Sequence, residues 1–368
     1  MDLHARLDAA IDSALSRRKI VGTVLLVARD GEVVYRRAAG LADREAGRPM
    51  REDAIFRLAS VTKPFVAATA LALVDAGLLA LDDRVADHLP YFTPRLADGT
   101  PAAITIRHLL THTSGLTYDY GADPQISTGL DATDLGFEEN FSRVAALPLA
   151  FTPGSAWRYS IAIDVLGAVV AKVHGGSLDA AVRRHVGAPL GLEDTGFAVR
   201  DMARLATPYA NAEPEPVPMA EGQVVVDKDG NRTVFFPSRT FNPKAYQSGG
   251  AGMAGTADDV LTFLEALRRG GAPILRPETA ASGLANQIGT LTRDDPGQGF
   301  GFFGGVIVDA AASGTAHNAG AVHWGGIYGH NWFIDPVERL TVVSLSNTAP
   351  EGCNGPYRDE IRNAVYGA

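Results

Sequence analysis

Phe56-Arg57-Leu58-Ala59-Ser60-Val61-Thr62-Lys63-Pro64-Phe65 leads from a short strand-like entry into an apolar helix, and it carries a serine and a lysine three positions apart. On a helix, side chains at that spacing lie on one face. The helix is expected over 61–76, ending at Gly77, which places Ser60 at its start. There the free backbone N–H groups and the helix dipole favour negative charge, so an oxyanion forming beside Ser60 would meet donors already in place. A serine hydroxyl is a poor nucleophile until a neighbour takes its proton. Burial disfavours the charged form of a lysine and leaves its amine free to do so. Alternatively, Lys63 holds a second, phenolic base. Pro64 is tolerated because it falls in the first helical turn. Ser-x-x-Lys alone is a common pattern, and a serine at a helix start is often only a cap, so the reading needs partners elsewhere in the chain.

Upstream, Leu3, Leu7, Ile11 and Leu15 recur at helical spacing and predict a helix over 2–18. The runs 21–28 and 33–38 read as two strands joined by the turn Arg29-Asp30-Gly31. A second strand-rich region lies towards the other end, at 302–308, 329–334 and 340–345, before a last helix over 357–366. Between the two regions the pattern is helical, at 106–111, 161–173 and 178–186, each segment bounded by Gly or Pro. A further helix is expected over 256–269, capped by Thr256 or Asp258. The stretch 206–248 contains Pro208, Pro214, Pro216, Pro218, Pro237 and Pro243 with little periodicity, and it reads as an irregular excursion. The economical fold class is α+β, an α/β sandwich in which one antiparallel sheet is built from both chain termini, flanked by helices, with a mainly helical lobe inserted. The expected boundaries are 1–58 and 246–368 for the sheet domain, 59–205 for the helical lobe and 206–245 for the Pro-rich excursion near the cleft.

About a hundred residues after Ser60 comes Pro153-Gly154-Ser155-Ala156-Trp157-Arg158-Tyr159-Ser160. Tyr159 follows a Pro-Gly turn and precedes a helix, and a side chain on a turn reaches places that a helix interior does not. A phenol beside cations gives up its proton more easily, so Tyr159 can accept the Ser60 proton and return it to a leaving group. Near the C-terminus stands His323-Trp324-Gly325-Gly326-Ile327-Tyr328-Gly329-His330. Two glycines allow a substrate to approach the backbone of an edge strand, and the Ile327 N–H is then a second oxyanion donor beside that of Ser60.

In this order the three segments resemble the motifs of the serine β-lactamase and penicillin-binding-protein superfamily, and more closely those of its esterase branch, the family VIII carboxylesterases. Two further stretches match: Thr105-Ile106-Arg107-His108-Leu109-Leu110-Thr111-His112-Thr113-Ser114-Gly115-Leu116, and Gly249-Gly250-Ala251-Gly252-Met253-Ala254-Gly255-Thr256-Ala257-Asp258-Asp259. The similar segments run from about residue 20 to 345. The resemblance implies a serine β-lactamase/DD-peptidase-like fold and an acyl-enzyme mechanism without a cofactor or metal. In it Ser60 attacks a carbonyl, Tyr159 with Lys63 manages the proton, and the N–H groups of Ser60 and Ile327 bind the oxyanion. Trp324, Gly325 and Gly326 line the substrate, and water releases the acyl group. Whether Lys63 or Tyr159 is the base stays open.

Two departures point to esters. The penicillin-recognising enzymes carry a Lys-Thr-Gly-like third motif, whose ammonium attracts a carboxylate; here Trp324-Gly325-Gly326 stands in its place. Their second motif ends in Asn; here it is Tyr159-Ser160-Ile161. A tryptophan favours flat or apolar groups, and an ester has a better leaving group than an amide. The expected substrate is therefore a small-molecule carboxylic ester, short-chain or lipophilic. The alternatives are an amide, β-lactam or D-amino-acid peptide hydrolase, an acyltransferase, or an inactive homologue that binds peptidoglycan-like ligands.

Other features narrow the field. A net charge of −9 and the lack of a long basic run argue against nucleic acid as a partner. Cys353 is the only cysteine, which excludes an internal disulfide and suits a reducing compartment. The N-terminal residues lack a signal-peptide pattern and the longest apolar run, 65–74, is far shorter than the roughly 20 residues of a membrane span, so a cytoplasmic, non-membrane protein is expected. Gly250-Ala251-Gly252-Met253-Ala254-Gly255 fits G-x-G-x-x-G but has no apolar strand before it, and it reads as a tight turn. His108 and His112 lack a third metal ligand and read as capping or packing residues, as do His323 and His330. No Gly-x-Ser-x-Gly elbow is present. Physiological substrate, stereochemical preference and oligomeric state are not legible at this level.

Overall fold

The computed structural model describes residues 1–120, 125–227, 230–293 and 295–368. Among these residues the centre is an eight-stranded antiparallel sheet. Its order is Gln298–Phe300, Gly305–Ile307, Val322–Gly326, His330–Asp335, Leu340–Ser346, Gly22–Arg29, Glu32–Asp43 and Arg48–Pro49. The two ends of the chain meet in its middle, where Gly22–Arg29 pairs with Leu340–Ser346, Val24 opposite Leu345 and Val27 opposite Val342.

Both faces of that middle are covered, which is why these strands read as continuous apolar runs rather than as alternation. Leu25 and Val27 pack with Leu7 and Ile11 of the helix Leu3–Ser16 and with Tyr357 and Ile361 of the helix Pro356–Tyr366. Val24 and Leu26 face the opposite way, into the main core. On that side the helix Ala257–Arg268 lies against the sheet, capped by the Thr256 hydroxyl, which accepts from the Asp259 N–H. Its Phe263 stacks on Phe65 of the helix Thr62–Asp75, with ring centres 4.0 Å apart. Every residue of that second helix from 62 to 73 is buried. A helix apolar all round belongs in a core, and this one packs on the helix Ala162–His174 and, through Phe65, on Ala257–Arg268. Ser60 and Lys63 therefore stand on one of the most firmly packed elements of the molecule.

Three expectations need correction. The run 302–308 is not one strand: Gln298–Phe300 and Gly305–Ile307 form a hairpin, with a Gly-containing turn between them. Val322–Gly326, expected as an edge strand, lies inside the sheet. It nonetheless pairs with Gly305–Ile307 only at Val322 and His323, so its last residues, from Trp324 to Gly326, are open on that side. The Pro-rich stretch is also more ordered than expected. It contains the antiparallel pair Gln223–Val226 and Arg232–Phe235 and the 3₁₀ turn Pro237–Phe241. Among the described residues no single helix is long and apolar enough to cross a membrane.

Candidate active site

The short strand Phe56–Arg57 pairs with Ala254–Gly255, and the Leu58 N–H donates to the Met253 carbonyl at 2.9 Å. The next residue, Ala59, is fully buried and has φ of 45°. A non-glycine residue in the left-handed region is strained. Here the strained residue turns the chain between that strand and the 3₁₀ turn Ala59–Val61, which runs directly into the helix Thr62–Asp75. Ser60 sits at the turn, half-buried, at the mouth of the helix.

Lys63 follows one turn later and is 5% exposed. Its Nζ donates to Ser60 Oγ at 3.1 Å and to the Gly250 carbonyl at 2.8 Å. The ammonium also lies 4.7 Å from the ring centre of Tyr159 and 5.4 Å from that of Tyr118. The Ser60 hydroxyl, the Lys63 nitrogen and the Tyr159 ring thus stand in one cluster, the three residues that the resemblance brought together. Tyr159 is held from the other side by Trp324, whose Nε1 donates to its Oη at 3.3 Å while the ring centres stand 5.0 Å apart. The third motif therefore touches the second directly through the indole.

Gly325 and Gly326 are required by close approach. A methyl group at Gly326 would overlap the Leu58 carbonyl oxygen, and one at Gly325 would meet Cys353 Sγ at 3.0 Å. The strand end is in this way pressed against the chain entering Ser60. The Gly329 N–H closes a turn on the Gly326 carbonyl at 2.8 Å, and Ile327 packs into the same small cluster as Ala59. Gly326→Ala is expected to destabilise the fold by about 1–3 kcal/mol, the usual cost of overpacking a tight site. A urea midpoint equal to that of the wild type would contradict this close approach.

Four residues at the site were not singled out from sequence as functional. Tyr118 shares Lys63 with Tyr159, and burial pushes its phenol well above the ordinary range, which keeps it protonated. His112, read as a packing residue, lies with its ring centre 4.7 Å from that of Tyr159. Burial, with Lys63 and Arg293 adding to it, pulls its pKa well below the usual value, so it is neutral. Its Nδ1 accepts from the Ser160 N–H at 3.3 Å and so fixes the residue after Tyr159. Asp164 is fully buried on the first turn of Ala162–His174 and accepts from Ser248 Oγ at 2.5 Å. Burial raises its carboxyl, while the Lys63 charge and the Ser248 hydroxyl pull it down. A methyl group at Gly250 would overlap Asp164 Oδ2, so the peptide that receives Lys63 lies directly on this acid. Arg293 closes the rear of the site against Trp157 and Trp324. An acid inside an otherwise apolar helix was the one local signal for Asp164; none marked Arg293.

The remaining histidines fall where packing predicts. His108 completes a capping box with Thr105 at the helix Ile106–Leu110. His330 Nε2 meets the Arg57 carbonyl at 2.8 Å and His323 Nε2 meets Gln298 Oε1 at 3.0 Å. Among the described residues no group of three or more His, Cys, Asp or Glu side chains is placed to hold a metal ion. Ile161, where the penicillin-recognising enzymes have an amide side chain, is buried in the main core and offers nothing to a ligand.

A family model described as Beta-lactamase matches residues 7–366. Esterase EstB of Burkholderia gladioli is 52% identical over 99% of this chain and 95% of its own length. The solved structure of EstCE1, a hydrolase with promiscuous acyltransferase activity, is 43% identical, with a TM-score of 0.94 over 99% of this chain and 98% of that one. Unliganded simvastatin synthase from Aspergillus terreus superposes with a TM-score of 0.77 over 100% of this chain and 98% of that one. At 24% identity it shows a shared fold alone.

Proposed function

We infer that this chain, which belongs to the β-lactamase family, is a serine carboxylesterase that is acylated on Ser60. The observation that carries the reading is the 3.1 Å hydrogen bond from Lys63 Nζ to Ser60 Oγ, formed with Lys63 seated over the Tyr159 ring. Likeness to Esterase EstB and to EstCE1 supports ester hydrolysis as the chemistry.

The steps follow from the geometry. As the neutral amine, with the Ser60 hydroxyl donating across the same 3.1 Å contact, Lys63 takes the hydroxyl proton as Oγ adds to the ester carbonyl. The oxyanion turns towards the N–H groups of Ser60 and Ile327, one at a helix mouth and one on the turn after Gly326. Tyr159 protonates the departing alkoxide. It is the phenol suited to this step because it carries the Trp324 contact, while burial makes the Tyr118 hydroxyl a weaker acid. Water then adds to the acyl-Ser60 by the same route in reverse.

The acyl group has a place to go. A cavity of about 440 Å³ lies beside the site, within the size range of small-molecule pockets. Its lining mixes apolar residues such as Leu130, Phe236 and Met253 with Arg57, Arg239 and Gln247; Ser60, Lys63 and Tyr159 do not line it, but Gly252 and Tyr328 lie next to the segments that carry Gly250 and Ile327. Such a lining suits an acyl chain with an apolar body and a polar end. With Trp324 in place of an ammonium and Ile161 withdrawn into the core, neither of the groups that recognise a β-lactam is presented. The lone Cys353 suits a reducing, cytoplasmic location.

A chromogenic short-chain ester assayed beside a chromogenic cephalosporin tests the reading. Fast turnover of the ester, with the cephalosporin at least roughly 100-fold slower, is the expected result. Cephalosporin turnover alone would move the assignment to amide hydrolysis, and no acyl adduct with either, by intact mass, would leave a binding protein. Because EstCE1 also transfers acyl groups, adding a primary alcohol to the ester assay shows whether water is the only acceptor.

A further inference from the structure

The loop before Gln298–Phe300 brings a guanidinium behind the site. Arg293 Cζ lies 5.0 Å from the ring centre of Trp157, 5.4 Å from that of Trp324 and 5.8 Å from that of Phe300. Its side chain is 6% exposed and forms an ion pair with Asp295 at 2.9 Å. Nη1 donates to the Gly299 carbonyl at 3.4 Å, and a methyl group at Gly305 would overlap the same nitrogen. The rings brace one another, Phe300 meeting Trp324 edge to face at 5.2 Å and Trp157 at 5.4 Å. Trp324 in turn presents its N–H to Tyr159 Oη. Guanidinium, indole and phenol form one continuous chain of contacts.

We propose that Arg293 is a positioning residue that clamps the Trp324 indole in the orientation whose N–H reaches Tyr159. The inference rests on the assignment of Tyr159 to proton transfer. A guanidinium shielded from water is drawn to the negative face of an aromatic ring, and its planar shape lets it lie flat against an indole as an ammonium does not. The bond it guards is long, at 3.3 Å, and a small rotation of the indole would take it beyond useful reach. In this chain the third motif has given up its ammonium; Arg293 returns a cation to the same corner, one ring further back.

Arg293→Met keeps the bulk and removes the charge. It is expected to lower kcat for a neutral ester by roughly 10-fold to 100-fold, the scale of a misplaced reacting group, with KM little changed, and to weaken the indole bands in the near-ultraviolet circular dichroism. Arg293→Lys should recover part of both. In a Trp324→Phe background, which lacks the N–H, Arg293→Met should cost nothing more, because residues acting through one contact are not additive. Arg293→Gln serves if the methionine variant does not fold. Additive losses would overturn the proposal. So would a raised KM confined to esters bearing a carboxylate with kcat unchanged, which would make Arg293 a substrate anchor. If the wild type turns over no ester, the esterase reading fails by itself. The dichroism still decides the clamp, since unaltered indole bands in Arg293→Met would overturn it.

Discussion

Ser60→Ala is expected to lower kcat/KM for any ester by at least about 10⁴-fold, the scale on which hydrolases lose activity with their nucleophile. It is also expected to remove the covalent adduct formed with a serine-directed phosphonate. The substitution is a clean one. The Ser60 hydroxyl has one side-chain hydrogen bond, to Lys63, and Lys63 keeps the Gly250 carbonyl when that bond is lost. No other buried polar group is stranded, so the urea midpoint should correspond to a change of no more than about 1 kcal/mol. Residual turnover above that level, or a phosphonate adduct located on another serine, would show that the chemistry lies elsewhere. The strained Ala59 matters to the interpretation. It stays in place in the variant, so the loss would report the missing oxygen and not a relaxed turn.

How far this could be foreseen differed from element to element, for physical reasons. The middle of the central sheet was legible because strands covered on both faces must be apolar throughout, as 21–28 and 340–345 are, and a helix apolar all round, as Thr62–Asp75 is, announces a core. Ser60 and Lys63 stood out by their spacing on a helix, and with Tyr159 they became candidates through the ordered resemblance of three motifs and not through spacing alone. The place of Val322–Gly326 inside the sheet was not legible, since close approach to Leu58 demands glycines, and glycines erase the side-chain pattern that separates an inner strand from an edge. The Gln223–Val226 and Arg232–Phe235 pair was hidden by the prolines around it. Tyr118, Asp164 and Arg293 act through partners remote in sequence. Asp164 meets Ser248 and the peptide at Gly250, and Arg293 meets Trp157 and Trp324. Only the folded chain defines such pairs. His112 carried a signal that was read correctly as packing, and the packing turned out to be against the site itself.

Tyr159→Phe should reduce kcat by about 10²–10⁴, the contribution of a positioned acid–base group, while leaving KM within a few-fold. The ring remains, so the face over which Lys63 sits at 4.7 Å is preserved and the lysine keeps its place beside Ser60. What goes is one oxygen, which is also the acceptor for Trp324 Nε1. That indole N–H is left without its partner in a half-buried site, a cost on the order of 1–3 kcal/mol in stability if water does not replace the bond. The two phenols at Lys63 make the experiment discriminating. If the protonated Tyr118 is the acid that serves the leaving group, Tyr118→Phe will carry the loss and Tyr159→Phe will behave like the wild type. The contact with Trp324 favours the opposite order. Leaving groups of graded acidity separate the roles further: the loss in Tyr159→Phe should shrink as the alcohol becomes more acidic, because a phenoxide departs without help. A loss that stays constant from alkyl to nitrophenyl esters would mean that Tyr159 acts before the leaving group departs, on the Ser60 proton.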